Sequence, residues 1–403
     1  MNQWLTAALW MALALAASVV SIRFAVSVAL TEIMFGVIGG NLLHLQVTEW
    51  VTFLAGLGSV MLTFLAGAEI EVETMRRHWK PVLAIGFVSF LAPFLGAWAY
   101  AYYIAGWSPN GAKICGIALS TTSVAVVYAV MIESGLNRTQ IGKLILAACF
   151  VTDLGTVLAL GVLFANANVW LALFAIVTTG VLIVTPRFTR WFFGQFGHHV
   201  SQPEMKLLFL LLFFLGGLAA EANSEAVLTA YLLGLVVASV LVQHREIVKN
   251  MRATVFTLLT PFYFLKAGSY VSIPTLLTWT GFSLTVILLA VKLLTKIVGT
   301  YPVCRGFRMK HRVSTYTTLL MSTGLTFGTI SALFGLTHKY INQGQYTVLV
   351  AVVIGSAVVP TMIAQTFFRP QVEIPPEVQE GDSARPEARM PQAVPQVSPG
   401  QGA

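Results

Sequence analysis

The chain has 403 residues, of which 57% are hydrophobic and 10% charged, and carries a formal net charge of +8. A mean hydropathy of +0.79 leaves too little polar surface for a soluble domain, so the sequence describes an all-α, polytopic membrane protein. The basic balance, with a pI near 9.5, is a topology signal of membrane loops and excludes a nucleic-acid-binding role.

Apolar runs of about twenty residues, separated by short polar joints, predict about thirteen membrane spans. In chain order they cover Leu5–Val20, Phe24–Leu45, Trp50–Ile70, Pro81–Ala105, Gly111–Ile132, Thr139–Phe164 and Val169–Phe192. Met205–Ala220, Ala226–Val242, Thr254–Val271, Leu276–Tyr301, Thr315–Leu336 and Tyr346–Phe368 complete the set. The N-terminal MNQWLTAALW lacks the basic region and small-residue cleavage site of a secretory signal, so the first run is expected to stay as a span. From Pro370 onward Pro, Gln, Glu, Ser and Gly replace the large apolar residues, which predicts a disordered cytoplasmic tail.

Loop charges fall almost wholly on one side. Joints after odd-numbered spans hold Arg23; Arg76, Arg77 and Lys80; Arg138 and Lys143; Arg187, Arg190 and Lys206; Arg245, Lys249 and Arg252; and Arg305, Arg308, Lys310 and Arg312. The opposite joints hold only Lys113 and Lys339. Because loop Lys and Arg set orientation, this pattern predicts an outside N-terminus and a cytoplasmic C-terminus. Cys115, Cys149 and Cys304 lie in or at the edge of spans without metal-ligand spacing and read as buried apolar residues. His78, His198, His199, His244, His311 and His338 cluster in or near loops, as solvated residues or as pH sensors, and His44 carries no distinct signal.

Asp153 sits in the middle of LILAACFVTDLGTVLALGVLF, a stretch long enough to cross a bilayer. A carboxylate at that depth costs roughly 2.5–3.5 kcal/mol on insertion scales, so it is expected to face a cavity or a partner on an ion or proton route. Lys296, in the eleventh span, is the expected partner, and pairing offsets the burial of either charge alone. Lys292, one helical turn away on the same face, is the alternative amine. Glu32 in EIMFGVIGG is a secondary candidate, lining a cytoplasmic funnel or pairing across an interface. Lys266 lies nearer the outer end of its span, where it can snorkel or meet Glu221 or Glu225.

Two spans carry signs of a break. The fifth contains ALSTTSVAVVYAV and the twelfth LLMSTGLTFGTISALFG. Such densities of hydroxyl and glycine favour local departures from helix, because hydroxyls compete for backbone hydrogen bonds and glycine relaxes the chain. Discontinuous helices place free carbonyls and N–H groups at the midplane, where a coupling ion binds. The plainer reading is that small residues let helices pack closely. Position favours the break: one broken span directly precedes the Asp153 span, the other directly follows the Lys296 span, and the two run in opposite directions. Spans four to six and eleven to thirteen then form an inverted repeat.

The stretch GIALSTTSVAVVYAVMIESGLNRTQIGKLILAACFVTDLGTVLAL, together with LLTKIVGTYPVCRGF, resembles the monovalent cation:proton antiporter-2 family of sodium/proton and potassium/proton exchangers, and the resemblance extends to about residue 368. It implies a transport core of residues 81–165 and 274–369, a dimerisation scaffold of residues 1–80 and 201–273, a linking helix in 166–200 and a tail over 370–403. It also implies a homodimer in a prokaryotic inner membrane that needs no cofactor and performs no covalent chemistry. Where electrogenic relatives carry two adjacent carboxylates, this chain has Thr152 before Asp153, and Thr323, Gly324 and Leu325 replace an Arg-Gly-Glu-like signature.

The mechanism expected on this footing is competition. Asp153 binds a proton or a dehydrated Na+ or K+, but not both, while oxygens of Thr152, Thr122, Ser123, Thr323 and Gly324 complete a hard-oxygen shell. A site that changes sides only when neutralised then couples the two flows. The rival classes are a sodium-coupled organic-anion symporter of similar architecture and a channel-like K+ efflux protein.

Overall fold

The structure, a computed structural model, describes residues 2–24, 27–68, 78–134, 136, 139–164, 169–197, 199, 201–222 and 226–370. Arg76, Arg77, Arg138, His198, Glu225 and the tail from residue 371 lie outside the described residues. Helices begin where the sequence supplies caps. Ser108, Thr139 and Thr278 accept hydrogen bonds from the backbone N–H of Gly111, Gly142 and Gly281, and Asn342 forms a reciprocal capping box with Gln345.

In chain order the helices are α1 Gln3–Phe24, α2 Val28–Leu42, α3 Glu49–Ala68, α4 Trp79–Ala99, α5 Pro109–Ser120, α6 Val124–Glu133, α7 Gln140–Leu163, α8 Val169–Phe196 and α9 Pro203–Glu221. They continue with α10 Ala226–Leu241, α11 Arg245–Thr254, α12 Thr260–Ser269, α13 Ile273–Leu277, α14 Trp279–Gly306, α15 His311–Met321, α16 Thr326–Thr337 and α17 Gln343–Phe367. Each predicted span overlaps one helix or an interrupted one among the described residues. Among the described residues nine helices are long and apolar enough to cross a membrane, and α2 and α10 are apolar but shorter. Both predicted breaks are present: residues 121–123 separate α5 from α6, and residues 322–325 separate α15 from α16.

The tenth span differs from its prediction. Its helix begins at Arg245, within a segment read as a charged loop, and passes through a π-helical turn, Val255–Leu259, before α12. Pro261 accounts for the turn: it has no N–H to donate, and its ring displaces the carbonyl one turn back. A second π-helical turn, Tyr100–Ile104, ends α4.

Packing falls into two groups of helices. In one, α3 packs on α10, while α12 packs on α2, α3 and α1. In the other, α4 packs on α5, α7 and α14; α14 packs on α15 and α17; and α16 packs on α5. Glycine sets the first group's spacing. A Cβ at Gly268 would fall on the Ile33 carbonyl, and one at Gly36 on the Leu265 carbonyl, so α2 and α12 meet backbone to backbone. Gly268→Leu is therefore expected to destabilise the protein by about 1–3 kcal/mol, the range for overpacking a filled core. An unchanged unfolding temperature in detergent would remove the assigned role of this contact.

Candidate functional site

The two helix breaks cross each other. Thr121, at the end of α5, is extended (φ −64°, ψ 154°), and the Ser123 N–H donates to the Thr323 carbonyl at 3.0 Å. The Thr122 hydroxyl donates to the Met321 carbonyl at 2.8 Å. Each interrupted helix thus satisfies backbone groups that the other leaves open, which is how non-helical backbone survives at membrane depth.

Two fully buried lysines of α14 bracket this crossing. Lys296 Nζ donates to Ser89 Oγ of α4 at 2.8 Å and to Thr122 Oγ1 at 3.0 Å. Lys292 Nζ donates to Ser356 Oγ of α17 at 2.9 Å. It also lies against Gly324, where a Cβ would run into it. Both amines of the sequence reading are therefore at the crossing, joined to opposite arms of it.

Asp153 is 1% exposed on α7, and among the described residues its Oδ1 has no hydrogen-bond partner. The sequence reading set Lys296 directly against it. The Lys296 amine instead gives its hydrogen bonds to the two hydroxyls. One carboxylate oxygen is thereby left for another occupant. Asp153, Thr122 and Ser123 line a cavity of about 800 Å³ that Lys143, Arg245, Lys249 and Arg252 line as well.

The remaining predicted ligands are placed differently. Thr152 is buried and donates to the Cys149 carbonyl of its own helix at 2.7 Å, and it does not line the cavity. Thr323 presents its carbonyl to Ser123 and turns its hydroxyl back to Leu320, and Gly324 packs on Lys292 and Thr121. Glu32 is buried in α2 away from the cavity lining. Lys266 is 5% exposed within α12. Cys115, Cys149 and Cys304 are free and buried, and His311 sits 2.7 Å from the Tyr301 hydroxyl.

Three site residues escaped the sequence reading. Ser89 is the one Ser or Thr of its predicted span, and that isolation alone marked it, whereas Ser356 shares its span with Thr347, Thr361 and Thr366 and carried no distinct signal. Tyr231 of α10 donates to the Phe150 carbonyl, one turn before Asp153, at 3.0 Å. It ties one helix group to the other, as Tyr346 of α17 does through the Ala267 carbonyl of α12 at 2.6 Å.

Thr122 is the joint of the arrangement, since its one hydroxyl accepts from Lys296 and donates to Met321. Thr122→Val keeps the shape and removes both bonds, at about 1–3 kcal/mol for each buried group left unpaired. The expected result is an apparent cation affinity at least tenfold weaker, with maximal rate less affected. Unchanged affinity for every cation tested would exclude Thr122 from the bound state.

Comparison with known proteins gives a consistent result. The chain is 27% identical over 353 residues to the probable Na(+)/H(+) antiporter 3 of Methanocaldococcus jannaschii, covering 85% of this chain and 89% of that one. It is 23% identical over 335 residues to cation/H(+) antiporter 18 of Arabidopsis thaliana, where it spans 79% of its own length and 41% of the relative's. Its fold matches the solved sodium proton antiporter MjNhaP1 of Methanocaldococcus jannaschii with a TM-score of 0.67 at 13% identity, over 90% of this chain and 98% of that one. Residues 10–369 match the transmembrane sodium/hydrogen exchanger family, and the chain, a multi-pass integral membrane protein, belongs to that family.

Proposed function

We propose that the protein exchanges a monovalent cation, Na+ or K+, for protons by alternating access, with cation and proton competing for Asp153. The observation that carries this reading is the buried Asp153 Oδ1, without a hydrogen-bond partner among the described residues, on a residue that lines the cavity. A proton or a dehydrated cation each satisfies that oxygen, and their mutual exclusion couples the flows. Oxygens of Thr122 and Ser123 on the same cavity are suited to a hard cation. No covalent step is involved.

With the N-terminus outside, as the loop charges argue, the lining residues Lys143, Arg245, Lys249 and Arg252 lie on the cytoplasmic side, which supports an inward-open reading of this conformation. Helices α4–α7 and α14–α17 form the moving core, and α1–α3 with α9–α12 form the scaffold of a homodimer. Tyr231, Tyr346 and the Ser272 N–H, which donates to Thr347 Oγ1 at 3.0 Å, hold core and scaffold together in this state. The test is counterflow: proteoliposomes loaded with a pH-sensitive dye are challenged in turn with Na+, K+, Li+ and Rb+. Cation-driven proton release in the absence of other substrates is expected, and cation flux without proton movement would overturn exchange.

A further inference from the structure

One order of elements occurs twice in the chain. Helices α4, α5, α6 and α7, with a break after α5, are matched by α14, α15, α16 and α17, with a break after α15. The packing repeats as well, since α4 packs on α5 and α7 as α14 packs on α15 and α17. Asp153 is the fourteenth residue of α7, and Ser356 is the fourteenth of α17. The second set therefore holds a hydroxyl where the first holds the carboxylate of the site.

What meets these two positions differs. Asp153 lines the cavity and keeps an oxygen without a hydrogen-bond partner among the described residues. Ser356 is fully buried, does not line the cavity, and accepts from Lys292 Nζ at 2.9 Å. Its own hydroxyl donates to the Val353 carbonyl at 2.9 Å and lies 3.5 Å from the Gly324 carbonyl. Gly324 closes the other side of the amine. A Cβ there would fall on Nζ, and would stand 3.0 Å from Thr121 Oγ1 and 3.3 Å from Ser356 Oγ. The missing side chain is what lets the amine approach the backbone.

The contact leads back to the cavity. Gly324 follows Thr323, whose carbonyl accepts the Ser123 N–H at 3.0 Å, and Ser123 lines the cavity. Backbone in a break has no helical ladder to fix it, so its position is set by whatever packs against it. Lys296, one turn further along α14, bonds the first break through Thr122 at 3.0 Å. A single helix thus holds both breaks in register.

We propose that Lys292 is a positioning residue for cation binding. Its amine fills the counterpart of the Asp153 position in the second set of helices and holds the break at Gly324, so that the Thr323 carbonyl sets Ser123 at the cavity. The amine itself does not touch the ion.

This inference rests on the exchange reading, and its test separates the two. Lys292→Met removes the amine and keeps most of the apolar stem. In the proteoliposome dye assay the cation concentration for half-maximal proton release should rise about three- to tenfold, the effect of one lost hydrogen bond, with the maximal rate less affected. A residue that only stabilises the fold would lower yield and unfolding temperature and leave that concentration where it is. Ser356→Ala removes the acceptor alone, should shift the concentration in the same direction, and carries the test if Lys292→Met does not fold. Gly324→Ala puts a methyl on the amine and should weaken apparent affinity roughly tenfold. Added to Lys292→Met, whose side chain stops short of the Nζ position, it should cost less than about twofold. Unfolding temperatures in detergent for the same variants should show the same non-additivity. Unmoved half-saturation in both Lys292→Met and Ser356→Ala, additive losses in the double variant, or a changed proton-to-cation ratio, which would make Lys292 a proton carrier, would each overturn the proposal. Absence of exchange in the wild type would sink the exchange reading, whereas wild-type exchange with unmoved half-saturation in these variants sinks this inference alone.

Discussion

Asp153→Asn is expected to reduce cation-dependent proton release to the level of empty vesicles while expression and thermal stability persist. Asn keeps the size of the side chain and removes the titratable charge. The side chain's Oδ1 has no hydrogen-bond partner among the described residues, so the substitution breaks little of the surrounding structure. What it removes is the competition between proton and cation. Asp153→Glu should retain partial exchange at most, because the added methylene moves the oxygens away from Thr122 and Ser123. The check is the same dye assay, run on variants whose size-exclusion profile matches the wild type. Wild-type exchange by Asp153→Asn would remove the carboxylate from the mechanism and with it the proposal above.

The second large effect concerns Lys296. With Thr152 in place of a second carboxylate, one group on the cavity takes up and releases a proton, so the expected stoichiometry is one proton per cation with no net charge moved. A Na+ or K+ jump on a solid-supported membrane should then give no sustained current. Lys296 is the group that can change this, since release of its proton on cation binding would move two protons per cation and make the cycle voltage-sensitive. A sustained current reversing at a two-to-one ratio would refute electroneutrality, and its disappearance in Lys296→Gln with exchange retained would assign the second proton to the amine. The same variant should lose stability, because Ser89 and Thr122 lose the ammonium that donates to both. A buried group left without its partner costs about 1–3 kcal/mol. A thermal unfolding curve unchanged from the wild type would show that these two hydrogen bonds contribute nothing.

Much of the architecture is local in origin and was legible residue by residue. Span positions follow from apolar length alone, because a bilayer core demands about twenty apolar residues whatever their partners. Both breaks were visible at STTS and STG, where hydroxyls and glycine weaken the helix from within the same turn. Asp153 stood out for the same reason, as a charge whose cost is set by depth. Helix α11 did not stand out: ten residues rich in Arg and Lys read as a loop in a hydropathy scan, and only its periodicity marks the buried face carrying Ile247 and Met251.

What the tertiary structure decided is which groups meet. Thr152 adjoins Asp153 in sequence yet bonds to its own helix, since successive residues on a helix point about 100° apart. Lys296 finds Ser89 and Thr122 across separations of 207 and 174 residues, and no local pattern encodes such a choice. The sequence by itself determined that a charge lies buried beside two broken helices, because burial and breakage are paid within one segment. That the carboxylate keeps an open oxygen while the amine takes hydroxyl partners was decided only when α4, α7 and α14 packed around the crossing, because hydrogen-bond geometry is satisfied between segments.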